Sequence, residues 1–203
     1  MTKSASAFPL ILMVAGLAGC SLFPSRAPEI LTDHDFGPLH AHTVLADAPP
    51  VIVRAKSLPW LSGTTIHYRL LYKDPTALHI YAQNRWVAPP ATLLKARVRW
   101  RLGAMPAFGA QPPRHIDRLV IVLSRFDQDF TAPHHAFVRL TASARLYDVA
   151  TGQVLARQTV NLRQPCAPDA QGAVTGLSEL ARQASTAFVR LATHSGGVKD
   201  PGP

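Results

Sequence analysis

Two cysteines, nine histidines, twelve acidic and 21 basic residues are the groups in this 203-residue chain that can do chemistry. Cys166 lies in Gln164-Pro165-Cys166-Ala167-Pro168, a loop-like stretch with no acid–base pattern near it. A thiol reacts as the thiolate, and no stabilising site for one is visible there. The close histidine pairs, His40-x-His42 and His134-His135, have no acid or thiol at ligand spacing. A structural metal site needs four converging donors, so both pairs read as exposed residues. Asp127-x-Asp129 falls at the end of a predicted strand and reads as a solvated turn, with nothing to support a glycosidase-type carboxylate pair. GxSxG, HExxH, Walker and GxGxxG patterns are missing. No catalytic residue, metal ligand or cofactor site is therefore expected.

The arginines are the remaining chemistry, within a net charge of +9. Arg97, Arg99 and Arg101 cluster, and Arg139, Arg145, Arg157 and Arg163 occupy the polar positions of two alternating segments. Such a basic sheet face suits phosphate contacts. It equally suits a solvated face that blocks edge pairing, or one that meets anionic head groups or an acidic partner.

Compartment narrows the choice. Lys3 precedes an apolar run from Ala7 to Gly19, too short for a bilayer core, which needs about 20 residues. A charged start, a short apolar run and small residues at its end are the parts of a secretory signal. The run closes in Leu17-Ala18-Gly19-Cys20, which resembles the lipobox of bacterial lipoproteins. That resemblance implies cleavage before Cys20, diacylglycerol on its thiol and an N-acyl chain such as palmitate on its amine. With about 0.8 kcal/mol per buried methylene, such chains hold a protein to a membrane almost permanently. Ser21, where Asp would mark inner-membrane retention, implies the periplasmic face of the outer membrane. Nucleic acid is then a poor partner for the arginines, and Cys166 is left as a lone thiol in an oxidising compartment.

The expected organisation is a leader over 1–19, a lipidated tether over 20–30, one domain over 31–194 and a loose tail over 195–203. About 160 residues suffice for one core. Val51-Ile52-Val53 predicts a strand ending in a turn at Ser57–Leu61. Thr64–Leu71 and Leu78–Tyr81 predict a hairpin. Pro89 and Pro90 suit a first helical turn, yet Lys95–Leu102 alternates with period 2, so the residues alone leave 90–102 open between helix and strand. Ile116–Phe126 predicts a long strand. Val138–Leu146 and Val154–Leu162 alternate around the turn Asp148–Gly152 and predict an antiparallel hairpin with one wet face. Asp169 predicts a cap on a helix over about 170–193, with a stripe of Val174, Leu177, Ala181, Ala184, Phe188 and Leu191. These elements argue for an α+β domain, a mostly antiparallel sheet with a long hairpin packed by helices.

The stretch from Thr65 to Pro90 carries Tyr68-Arg69, Tyr81, Arg85-Trp86 and Pro89-Pro90. With the lipobox, it resembles the ABC-type transport auxiliary lipoproteins, which include the paraquat-inducible lipoprotein component. Asp35-Phe36-Gly37-Pro38 resembles that family's opening strand. The resemblance implies a helix over about 90–102. It also implies a non-catalytic lipoprotein subunit of an intermembrane lipid transport system, whose partners are an inner-membrane transporter and an MCE-domain protein that bridges the periplasm. A periplasmic lipid-binding carrier or chaperone is the alternative, with phospholipid as ligand. Tyr68, Arg69, Tyr81, Arg85, Trp86, Pro89 and Pro90 suit a partner-binding patch. They also suit a hairpin-to-helix corner locked by Trp86, with Arg85 bonded to carbonyls. The proline-rich insert Ala104–Pro113 offers Phe108 either to a partner or to the domain's own surface.

Overall fold

The computed structural model describes residues 30–38, 50–103 and 116–194. Cys20, the leader, most of the tether, the insert with Phe108 and the tail lie outside the described residues. The strands are β1 (Thr32–His34), β2 (Val51–Ser57), β3 (Thr65–Leu70), β4 (His79–Trp86), β5 (Asp117–Ala132), β6 (His135–Asp148) and β7 (Val154–Cys166). Helix α1 (Pro90–Arg101) joins β4 towards β5, and α2 (Ala170–His194) closes the described chain. The class is α+β, a seven-stranded, mostly antiparallel sheet packed by two helices.

The strand order is β1-β4-β3-β5-β6-β7, with β2 also paired to β5. β2 and β3 lie end to end along one edge of β5, both parallel to it, while β6 runs antiparallel along the other. β1 lies parallel to β4. A register shift between Leu123 and Arg125 lets Leu119, Ile121 and Leu123 face the helices before it, and Phe126, Gln128 and Phe130 after it. Without that extra residue, one half of β5 would turn its apolar side chains to the wrong face.

The helices cover one face of the sheet. In α2, Ala173, Leu177, Leu180, Ala181, Ala184, Phe188 and Ala192 are fully buried, the three- and four-residue spacing expected. Gly172 N–H donates to Asp169 Oδ1 at 2.6 Å, the expected cap. Gly176 lets α2 lie close on β6, since a Cβ there would come within 2.7 Å of Val138. In α1, Pro90 holds the first turn, and Ala91, Leu94, Val98 and Leu102 are buried. This helical stripe was masked in the sequence by the basic residues that alternate through it.

Two expectations are corrected. The opening strand is Thr32–His34, and Asp35–Pro38 form the bend after it. Asp35 Oδ1 accepts from Gly37 N–H at 2.7 Å, and Gly37 has φ +78°, a turn geometry that ends the strand. Asp127 and Asp129 are not in a solvated turn. β5 continues through them to Ala132, and both are fully buried.

Candidate functional site

The sequence motif around the β3–β4 hairpin divides between the two faces of the sheet. Trp86 points inward and is almost completely buried, edge-on to Phe36 at 5.2 Å and tilted on Phe126 at 5.7 Å. Pro90 is buried beside it at the start of α1, with Pro89 half-buried as its cap residue. Trp86 thus closes the end of β4 against the core, and the two prolines open α1 four residues later. Arg85, next to Trp86, turns outward and pairs with the Asp33 carboxylate at 2.6 Å, not with carbonyls. The Arg85 bond holds Asp33 below the usual carboxylate range. It is Arg97 that reaches carbonyls, donating to Phe36 and Gly37 and so pinning the bend after β1.

Tyr68 and Tyr81 meet on the helix-facing side, 4.7 Å apart, with His79 stacked on Tyr68 at 5.1 Å and Phe130 edge-on at 5.8 Å. The Tyr81 hydroxyl donates to Gln128 Oε1 at 2.5 Å, and Gln128 Nε2 donates on to the Ala167 carbonyl at 2.8 Å and to Cys166 Sγ at 3.2 Å. Burial pushes the Tyr81 phenol and the Cys166 thiol up, against the Gln128 bond at the thiol. Both groups stay protonated at neutral pH. This chain of bonds ties β4 to the β7–α2 connection and leaves Cys166 chemically quiet.

The opposite, outer face is built from successive rungs of paired residues. Towards the β5–β6 turn, one rung runs His67, Asp127, Arg139 and Arg163, and the next Arg69, Asp129, Phe137 and Pro165. Asp127 accepts from Arg69 Nε at 3.0 Å and Arg125 Nε at 2.9 Å. Asp129 takes both oxygens to Arg125, at 2.8 and 2.9 Å, and lies 2.8 Å from Arg139 Nε. Burial and the neighbouring Asp127 raise the pKa of Asp129 against the pull of these arginines. Arg163 lies 3.4 Å over the Phe137 ring. Trp60, from the turn after β2, covers this end, 5.8 Å from the Arg69 guanidinium and 6.0 Å from the His67 ring. Burial lowers the pKa of His67 despite Asp127 beside it. Ile80, the cross-strand partner of His67, is 53% exposed, and Trp60 37%. Sequence reading missed both as surface residues, because only the register places Ile80 outward beside Trp60.

A cleft of about 690 Å³ is lined by Asp33, Phe36, Val87, Arg97, Val174, Glu179 and Arg182 among others. No group of three His, Cys, Asp or Glu among the described residues converges to hold a metal.

Residues 51–189, from the start of β2 to within the last turns of α2, match the family model described as ABC-type transport auxiliary lipoprotein component. The chain belongs to that family. It is a non-catalytic, transport-associated lipoprotein, and its kinship with proteins modified on a cysteine accords with the lipobox at Cys20. The auxiliary lipoprotein shares its fold with the crystal structure of a Xanthomonas campestris protein, at TM-score 0.61 and 17% identity, over 74% of this chain and 90% of that one. A second crystal structure, of an uncharacterised protein, matches at TM-score 0.58 and 15% identity, over 80% and 98% of the two chains. Comparison with curated proteins gives no match.

Proposed function

We propose that this auxiliary lipoprotein is anchored through Cys20 to the periplasmic face of the outer membrane, and there docks the periplasm-spanning MCE-domain component of an ABC-type lipid transport system. The observation that carries docking is a closed core beside an open apolar patch. Between sheet and helices, Ile66, Trp86, Leu94, Leu140, Leu177 and Phe188 are all at most 1% exposed. A lipid carrier needs an apolar cavity there, and the cleft of about 690 Å³ mixes Phe36, Val87 and Val174 with Arg97, Glu179 and Arg182. Counting against the carrier, this leaves protein contact as the better reading.

The docking patch is the outer surface of the β3–β4 hairpin. Trp60 and Ile80 supply desolvating area, bordered by the ion pairs Arg69–Asp127 and Arg85–Asp33. Tyr68 and Tyr81 stiffen the hairpin from behind, and Trp86, Pro89 and Pro90 set its angle to α1. Such a patch, with aromatic and arginine anchors, is the kind that dominates interface energy.

Co-purification of the full chain with the MCE-domain protein tests this reading. Wild type should retain the partner, and Trp60→Ala with Ile80→Ser should lose it by tenfold or more while keeping the wild-type unfolding midpoint. No association with the anchor intact would contradict docking. Separately, Cys20→Ala should leave the outer-membrane fraction, and its continued flotation there would contradict the anchor.

A further inference from the structure

The outer face has a second end that the docking patch does not use. Towards the β6–β7 turn, one rung runs Ile52, Arg118, Tyr147 and Val154. The next outward-facing rung runs Arg54, Val120, Arg145 and Arg157, and the one after it Lys56, Val122, Ser143 and Thr159. Arg145 and Arg157 are direct cross-strand partners, both exposed. Side chains so paired stand about 5 Å apart at Cβ, and like charges there repel. Arg54 stands about 10 Å from Arg145, two strands away. β2 and β7 contain no acidic residue, and the acids of β5 and β6 at this end, Asp117 and Asp148, stand opposite each other on a rung that does not face this side.

Arginines set directly opposite one another cost stability, and among the described residues no acid at this end of the face offsets the pair, so the arrangement suits an external anion. Guanidinium forks match phosphate oxygens in pairs, and two opposed forks can hold one phosphate between them. A cleft of about 170 Å³ lies at this place, lined by Ser143, Ala144, Arg145, Arg157, Gln158 and Thr159. The hydroxyls of Ser143 and Thr159 face each other on the next outward rung and offer donors to the same group.

Apolar residues border the same end. Ile52, Val149, Val154 and Leu155 are each 40–41% exposed, and Arg118 lies 5.8 Å over the Tyr147 ring. Basic residues beside exposed aliphatic and aromatic tips are the chemistry of a surface that rests at a lipid head-group layer. An acidic protein surface would favour the charges but give no reason for the aliphatic rim.

We infer that the Arg54–Arg145–Arg157 end of the sheet is a binding surface for the phosphates of an anionic phospholipid bilayer, with Arg145 and Arg157 clamping one head group. This rests on the membrane-anchored reading but not on docking. It makes the anchor one of two membrane contacts, the second fixing which way the domain faces.

The test uses the chain from Ser21 onward, which lacks the acyl anchor and keeps the whole core, running from Phe36 to Ala192. Co-flotation is measured with vesicles of equimolar phosphatidylglycerol and phosphatidylethanolamine, and with pure phosphatidylcholine. Binding is expected only to the anionic vesicles, and should weaken with salt. Each surface cation contributes roughly fivefold in partition, so Arg145→Gln with Arg157→Gln should lose about twentyfold. Lys95→Gln with Arg99→Gln, matched in charge but on α1, should change it by less than threefold. Equal binding to both vesicles, or equal losses in the two double variants, would overturn the inference. So would saturation by millimolar inorganic phosphate without vesicle binding, or capture by an acidic protein alone. Because the protein tested carries no acyl chain, these outcomes are independent of whether Cys20 is lipidated.

Discussion

The two ends of the outer face use one residue type for opposite purposes. At the β5–β6 end, Arg69, Arg125 and Arg139 close on two fully buried carboxylates and are themselves 20–31% exposed. At the β6–β7 end, Arg145 and Arg157 face each other across two strands with no acid between them. An arginine bound to a buried carboxylate is part of the fold, because it offsets a desolvation the chain has already incurred. Arg145 and Arg157 have neither a carboxylate, as Arg139 has, nor a ring beneath them, as Arg163 has over Phe137. Their place is accounted for by an external anion, as proposed above. Basic composition alone therefore says little, and the counter-charge beneath each residue decides its meaning.

The comparison breaks first at the carboxylates. Asp127→Ala removes the carboxylate partner of Arg69 and one of the two that hold Arg125, and should destabilise the protein by about 3–5 kcal/mol in urea unfolding. A change below about 1 kcal/mol would mean that this network is no more structural than the bare end.

A second difference is in pH dependence. Burial lowers the pKa of His67 below its ordinary 6.5, so the unfolded chain takes up a proton before the folded one does. Its contribution is full above pH 6.5 and is lost as pH falls through the folded-state value. Subtracting the stability profile of His67→Phe from that of wild type should show this acid-side loss. A flat difference profile would contradict it. Asp129 works the other way: its raised pKa gives stability that fades as pH rises through the folded value, and it is common to both proteins.

The smallest effect on stability belongs to the bare end. Arg145→Gln with Arg157→Gln should shift unfolding by less than about 0.5 kcal/mol, towards greater stability, since a repulsive pair is removed. Destabilisation by about 2 kcal/mol would assign these arginines to the fold and erase the contrast.

Much of this was legible in the residues. Alternation in β6 and β7 placed Arg139, Arg145, Arg157 and Arg163 on one face, and the Asp169 cap and stripe located α2 almost to the residue. The pattern Val51-Ile-Val-Arg-Ala-Lys56 alternates in the same way and carries Arg54 and Lys56 on that face. What the sequence hid was non-local. Asp127 and Asp129 look like turn residues until Arg69, 58 positions before Asp127, is brought against them by the parallel pairing of β3 with β5. Similarly, the register shift at Leu123–Arg125 reverses which residues of β5 face out. The hairpin motif suited either a partner patch or a corner locked by Trp86; Tyr68 and Arg69 point to opposite faces, and Trp86 is taken up by the core.

The most direct test crosses the two surfaces in one experiment. The paired variants Trp60→Ala/Ile80→Ser and Arg145→Gln/Arg157→Gln are each measured for retention of the MCE-domain partner and for flotation with anionic vesicles. Two surfaces with two tasks predict that the first pair loses the partner and keeps the vesicles, while the second does the reverse. Loss of both activities in both pairs, or of neither in either, would contradict the division.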